Sequence, residues 1–261
     1  MSTATPPANA YTPPASAPSP DDLGIDRAFL MQMARIPFIA VGWILASYLA
    51  HQLWAAFAPG HNYAPLIVVC IGMVLAAAID GWAFKVPNWL TLSLVLSGWG
   101  LGLLHSLHVP VDDGVGGLGV SMLCTAIGFA LLFPLLAIVG MGQGDVKMLM
   151  GFGAWIGAYF GGEGAIGVEI LIYSFCLGAI VGGICGLAIM VVRRKFRKNL
   201  SNFREIAIDL KVLATVGPGA AAARSQTRRP GWDRLPYGIP LCVGFLGYLA
   251  YRFFEGTLPG M

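Results

Sequence analysis

The sequence predicts an all-α protein: a polytopic membrane helix bundle of about seven transmembrane helices with its N-terminus in the cytoplasm. Three observations carry this expectation. First, 57% of the 261 residues are hydrophobic and only 11% are charged, against roughly 25% charged in soluble domains. Mean hydropathy is +0.73. Second, the apolar residues fall into seven long runs, most near the roughly 20 residues that cross a hydrocarbon core of about 30 Å. Third, the basic residues partition to one side of those runs. A soluble domain of this size leaves roughly a quarter of its unfolded surface wet, so the composition excludes a soluble enzyme, a disordered chain and a nucleic-acid module.

The elements follow in order. Residues 1–26, rich in Pro, Ala and Ser, read as a disordered tail; no basic stretch runs directly into a short apolar core, as a secretory signal requires. Residues 27–63 hold an extra N-terminal transmembrane helix, expected from about Pro37 to Phe57. Residues 64–254 form the membrane core. Its segments are expected near Ala64–Phe84, Asn88–Leu107, Gly117–Val139, Asp145–Phe160, Ala165–Val192 and Tyr237–Phe254. Backbone polar groups find no water in the bilayer, so each apolar run is expected to be helical. Residues 193–235 form a basic loop whose first part has helical spacing at the membrane surface, and 255–261 are a short tail.

Orientation comes from Lys and Arg. With the N-terminus inside, the inner side holds Arg27, Arg35, Lys85, Lys147 and the eleven basic residues of 193–235, which is fifteen of the sixteen in the chain. Only Arg252 breaks the pattern. The positive-inside rule then makes 193–235 cytoplasmic.

This topology leaves two carboxylates in expensive places, and acidic groups within membrane segments mark function. Asp80 lies in the last turns of the second segment and Asp145 at the start of the fifth. Both come out at the same, cytoplasmic, depth. Such a pair can activate water against a peptide carbonyl: the ionised member takes a proton and the protonated member donates one. Because Asp145 opens a helix and Asp80 closes one, the helix dipoles place the shared proton on Asp80. Gly140, Gly142 and Gly144 precede Asp145, letting the backbone approach a substrate or adopt positive φ, so that an extended substrate can pair there by strand addition. Pro87 holds Val86 extended, and Asn88 is expected to cap the third helix. Lys147 reads as a basic anchor at the interface or as a tuning charge for the aspartates.

Other polar and small residues read as structural. The five cysteines form no CxxC pair and read as small buried hydrophobes; no metal site and no cofactor are expected. Glu169 and the four histidines lie towards the other side. Trp54, Trp82, Trp89, Tyr159 and Tyr237 fit interfacial belts, and Gly178, Gly182, Gly183 and Gly186 fit close helix packing.

Gly142-Gln143-Gly144-Asp145-Val146-Lys147 resembles the GxGD motif of the type IV prepilin peptidases. Asp80 followed by Lys85-Val86-Pro87-Asn88 resembles that family's other aspartate motif, and Leu235-Pro236-Tyr237-Gly238-Ile239-Pro240 the opening of the final helix in its small members. The resemblance covers about residues 64–254. It implies an intramembrane aspartyl endopeptidase that removes the leader of prepilin or pseudopilin precursors at the cytoplasmic face of the inner membrane. Catalysis would rest on Asp80 and Asp145, with Gly142, Gly144, Lys147, Pro87 and Asn88 binding substrate or shaping the motifs. Large members carry two CxxC pairs associated with zinc and N-methyl transfer. Their absence makes this chain similar to the small Flp/Tad-pilus type, without N-methyltransferase activity. The implied partners are the precursor, membrane lipid and the pilus or secretion machinery, with no nucleic acid. The competing reading is a non-catalytic transporter or assembly factor; a transporter sets its carboxylates near the bilayer midplane between repeats.

Overall fold

The computed structural model describes residues 27–57, 62–139, 142–161, 166–192 and 237–258, with Gly60 and a few positions between 208 and 217. The expected tail, Gly140 and almost all of the 193–235 loop lie outside the described residues. Among those described are seven long helices: α1 (Arg27–Phe57), α2 (Ala64–Ala83), α3 (Asn88–Ser106), α4 (Leu118–Val139), α5 (Gln143–Phe160), α6 (Ile166–Val192) and α7 (Gly238–Phe254). Four are long and apolar enough to cross a membrane: Leu30–Phe57, Ala64–Ala83, Leu118–Leu136 and Ile166–Ile189. The protein is therefore a multi-pass membrane protein.

Six of the helices begin and end within two residues of expectation. The exception is α1, which starts at Arg27 and runs through Pro37. Proline suits a helix start, but Pro37 lies well inside this helix. Inside a helix it forgoes one i−4 hydrogen bond, and here the helix continues regardless.

The core is built around α5, which packs on α2, α3, α4, α6 and α7. Every residue from Gly151 to Phe160 is buried. A helix enclosed by other helices does not meet lipid, so α5 can be the shortest and least apolar of the central segments. Small residues let its neighbours close in. A Cβ on Gly98 of α3 would stand 2.7 Å from the Ala154 carbonyl carbon, and one on Gly153 would stand 2.6 Å from the Cys124 oxygen. Trp155 fills the α3–α5 seam and donates its indole N–H to Leu94 O at 3.0 Å and Ser97 Oγ at 2.9 Å. Phe152 stacks on Phe245 and ties α5 to α7.

Helices α6 and α7 also lie in backbone contact. A Cβ on Gly244 would reach 2.4 Å from the Gly178 nitrogen. Of the four glycines expected to pack, Gly178 and Gly182 do so against α7 and the residue preceding it, whereas Gly183 and Gly186 face open space. The outward faces carry Ile67, Ile71 and Val74 on α2 and Ile180, Ile184 and Leu187 on α6, all exposed, as a lipid-facing surface should be. Cys176 and Cys185 lie on this exposed side, while Cys124 and Cys242 are buried and Cys70 is half-buried. The expectation of five buried cysteines therefore holds only in part, because a lipid-facing position also selects an apolar side chain.

One end of the bundle is closed by a polar network. Asp113 Oδ2 accepts the Asn62 N–H at 2.9 Å, and the Tyr159 hydroxyl donates to the Asn62 carbonyl. His105 bonds Ala158 O and Asp112 Oδ1, each at 2.9 Å. Tyr159 is thus a buried core residue rather than part of an aromatic belt. Arg252, the exception in the charge pattern, forms a 2.8 Å ion pair with Glu169. A charge partnered in this way needs no place among the other basic residues. The opposite end holds Asp80 and Asp145.

Candidate functional site

Asp80 sits in the last turn of α2 and is 6% exposed. The helix ends one turn later, where the Phe84 N–H donates to the Asp80 carbonyl at 2.8 Å. The Asp80 side chain is held from elsewhere: its Oδ2 accepts the N–H of Gly238, the first residue of α7, at 2.9 Å. Nothing larger than glycine fits there, since a Cβ on residue 238 would stand 2.9 Å from that oxygen.

Asp145 is the third residue of α5, after an extended N-cap at Gly142. The helix therefore opens two residues before the expected position, and Asp145 lies in the first turn rather than at the cap. Its N–H donates to Gly142 O at 3.2 Å. The side chain is buried, and its Oδ1 has no hydrogen-bond partner among the described residues. Both carboxylates consequently face a helix N-terminus, Asp145 that of α5 and Asp80 that of α7. The expectation that only Asp145 enjoys such a position was drawn from each residue's own helix, and the fold removes its basis.

The motif glycines provide room, not unusual dihedrals. Neither Gly142 nor Gly144 has positive φ. A Cβ on Gly142 would lie 3.2 Å from Asp145 Oδ2, and one on Gly144 would lie 2.9 Å from the Val86 Cβ. Gly144 belongs to α5, so the backbone expected to pair with an extended substrate is already helical beyond Gly142.

Asp80 and Asp145 share one cavity of about 510 Å³. Gly142, Gly144, Asn88 and Lys147 also line it, so six of the seven residues singled out from sequence meet in one place. The seventh, Pro87, stands beside it as the extended N-cap of α3, with ψ of 142°. Asn88 does not cap α3, because Pro87 takes that position and the cap makes no side-chain hydrogen bond. The Asn88 side-chain oxygen instead accepts the Lys147 ammonium at 2.9 Å. That bond links the two aspartate motifs across α3 and α5.

The same cavity adds Phe84, which the sequence reading overlooked. Its signal was faint: a large residue in the short αL step between an aspartate and a Val-Pro. Gly238 was noticed only as part of a resemblance, since nothing local shows that its N–H faces Asp80. Just before it, Tyr237 seats its ring over Gly182, where a Cβ would come within 3.0 Å of the ring. Among the described residues no group of three His, Cys, Asp or Glu side chains could hold a metal ion.

Fold and site together define a multi-pass helical membrane protein with two buried aspartates in a single cavity at one end of its bundle. Residues 67–187, which contain both aspartates, match the type IV leader peptidase family. The chain is 29% identical over 163 residues to a prepilin leader peptidase/N-methyltransferase of Aeromonas salmonicida, covering 61% of this chain and 50% of that protein. It is 30% identical over 118 residues to a protein of the same name from Xanthomonas campestris pv. campestris, covering 45% and 39%. The chain thus spans about half the length of the curated relatives it matches. No solved structure matches it.

Proposed function

We propose that this protein is an aspartic-type endopeptidase of the inner membrane that removes the leader peptide from prepilin or pseudopilin precursors. Asp80 and Asp145 are its catalytic pair, working at the cytoplasmic face. One observation carries the reading: two aspartates 65 residues apart in sequence are both buried in one open cavity at the same end of the bundle. Buried carboxylates are retained in membrane helices where they work.

In the reaction, a water held between the two carboxylates attacks the scissile carbonyl carbon. The ionised carboxylate removes a proton from that water while its neutral partner protonates the carbonyl oxygen. The tetrahedral diol then collapses: the C–N bond breaks, a proton passes to the leaving nitrogen, and the pair returns to one proton between two groups. Each carboxylate acts once as acid and once as base. Burial keeps bulk water from screening the pair. Lys147 stays bonded to Asn88 and so fixes α5 against α3 while both motifs hold their aspartates in register. The reading includes cleavage without N-methyl transfer, since the sequence has no CxxC pair.

The purified protein in phospholipid vesicles tests this with a small pilin precursor carrying a short basic leader and an apolar helix. Mass spectrometry should find a single cut between leader and helix and an unmethylated new N-terminus. An uncut precursor, or cleavage scattered along the chain, would overturn the reading.

A further inference from the structure

Phe84 is the C-cap of α2 and adopts a left-handed backbone, φ 50° and ψ 29°. Glycine is the default residue at such a cap because it has no Cβ to clash. A bulky side chain there is a genuine outlier, and such outliers gather where the side chain serves a function. Phe84 is also half-exposed rather than packed into the core, so burial does not explain its retention. It lines the cavity of Asp80 and Asp145. Most of the surrounding wall is polar or glycine, with Lys85, Gln143 and Lys147 among its members, and Val86 is buried against Gly144. The phenyl ring is the one large, accessible apolar surface among the described residues of that wall.

Resting on the peptidase reading, we propose that Phe84 is a specificity-determining residue: its ring receives a large apolar side chain of the substrate next to the scissile bond. An apolar side chain laid on the ring is removed from water and sets the chain's register against Asp80, four residues away on the preceding turn. A small or charged residue at that place gains nothing from the ring. Trp82 is also exposed, at 91%, but it is not part of the cavity wall and serves as the interfacial aromatic of this helix end.

The test uses the full-length protein in vesicles and paired precursors that differ only by Leu or Ala at each residue flanking the cleaved bond. Wild-type protein should prefer Leu at one of these positions by about 10-fold or more in kcat/KM. Phe84→Ala and Phe84→Gly should both bring that ratio close to one by lowering kcat/KM for the Leu precursor more than for the Ala precursor, and Phe84→Leu should restore the preference. Thermal unfolding separates the ring's role from folding. Phe84→Gly relieves the left-handed strain and Phe84→Ala does not, so the Gly variant should melt about 2 °C or more above the Ala variant while sharing its lost preference. Trp82→Ala should keep the wild-type ratio. A Leu preference that survives in Phe84→Gly overturns the proposal, as does a loss that tracks the melting temperature or bilayer retention. Asp80→Asn serves as the control: if that variant cleaves, the peptidase reading has failed, whereas a dead Asp80→Asn with an unchanged ratio in Phe84→Gly refutes Phe84 alone.

Discussion

The N–H of Gly238 lies 2.9 Å from Oδ2 of Asp80, across 158 residues of sequence. It ties the start of α7 to a site whose walls come from the α2–α3 connection, Gly142 and the first turns of α5. Gly238→Ala places a methyl group within about 3 Å of that carboxylate, a contact that real side chains do not sustain, and either the aspartate or the helix must shift. Leader cleavage by Gly238→Ala should fall at least tenfold in kcat, equivalent to about 1.4 kcal/mol, with KM little changed because the displaced group is Asp80. Steady-state kinetics on membrane-inserted protein checks this.

Gly144 faces Val86 across the cavity floor, with room for hydrogen only. Gly144→Ala is therefore an overpacking change of about 1–3 kcal/mol. Adding Val86→Gly, which removes the Cβ that the new methyl meets, should restore part of the cleavage rate. A double-mutant cycle that shows simple additivity would mean that the two residues do not touch.

Much of this arrangement was legible in the sequence. Apolar run lengths located the helices because lipid leaves the backbone no alternative to internal hydrogen bonds. Two membrane-embedded aspartates at equal depth announced the cavity, because such groups are costly elsewhere. What stayed hidden depended on contacts between distant segments. Asp80 looked like a carboxylate at the wrong end of a helix until α7 brought its own N-terminus to it. Asn88 looked like a cap, yet Pro87 holds that position and Asn88 turns to Lys147. Tyr159 looked interfacial by its place near a segment end, but α5 is enclosed on all sides and buries it. The first helix was expected to begin at about Pro37, yet it already starts at Arg27 and runs through the proline.

Lys147 and Asn88 should behave as a pair. A hydrogen bond to a charged group is worth roughly 1.5–3 kcal/mol when buried, and the partial exposure of this one reduces the expectation to about 1 kcal/mol. Lys147→Met and Asn88→Leu should each slow cleavage several-fold, and the double variant should be little worse than either. Rates that multiply in the double variant would show that the two act separately.

Topology offers an independent check. Fifteen basic residues lie on the proposed cytoplasmic side, and the positive-inside rule then sets Lys211 inside and Glu255 outside. In a cysteine-free background, Lys211→Cys should react with a membrane-impermeant maleimide only after the membrane is opened. Glu255→Cys should react in intact cells. Labelling of both from the same side contradicts a single span, α7, between them.

The central claim is that Asp80 and Asp145 work as one catalytic pair, and conversion of each to Asn tests it most directly. The change is nearly isosteric and removes only the ability to exchange a proton, so both variants should insert and melt like wild type. Leader cleavage of a prepilin in vesicles should drop by about a thousandfold or more in each, and Asp80→Asn/Asp145→Asn together should be no worse than either alone. Near wild-type cleavage by either single variant would contradict the two-aspartate account.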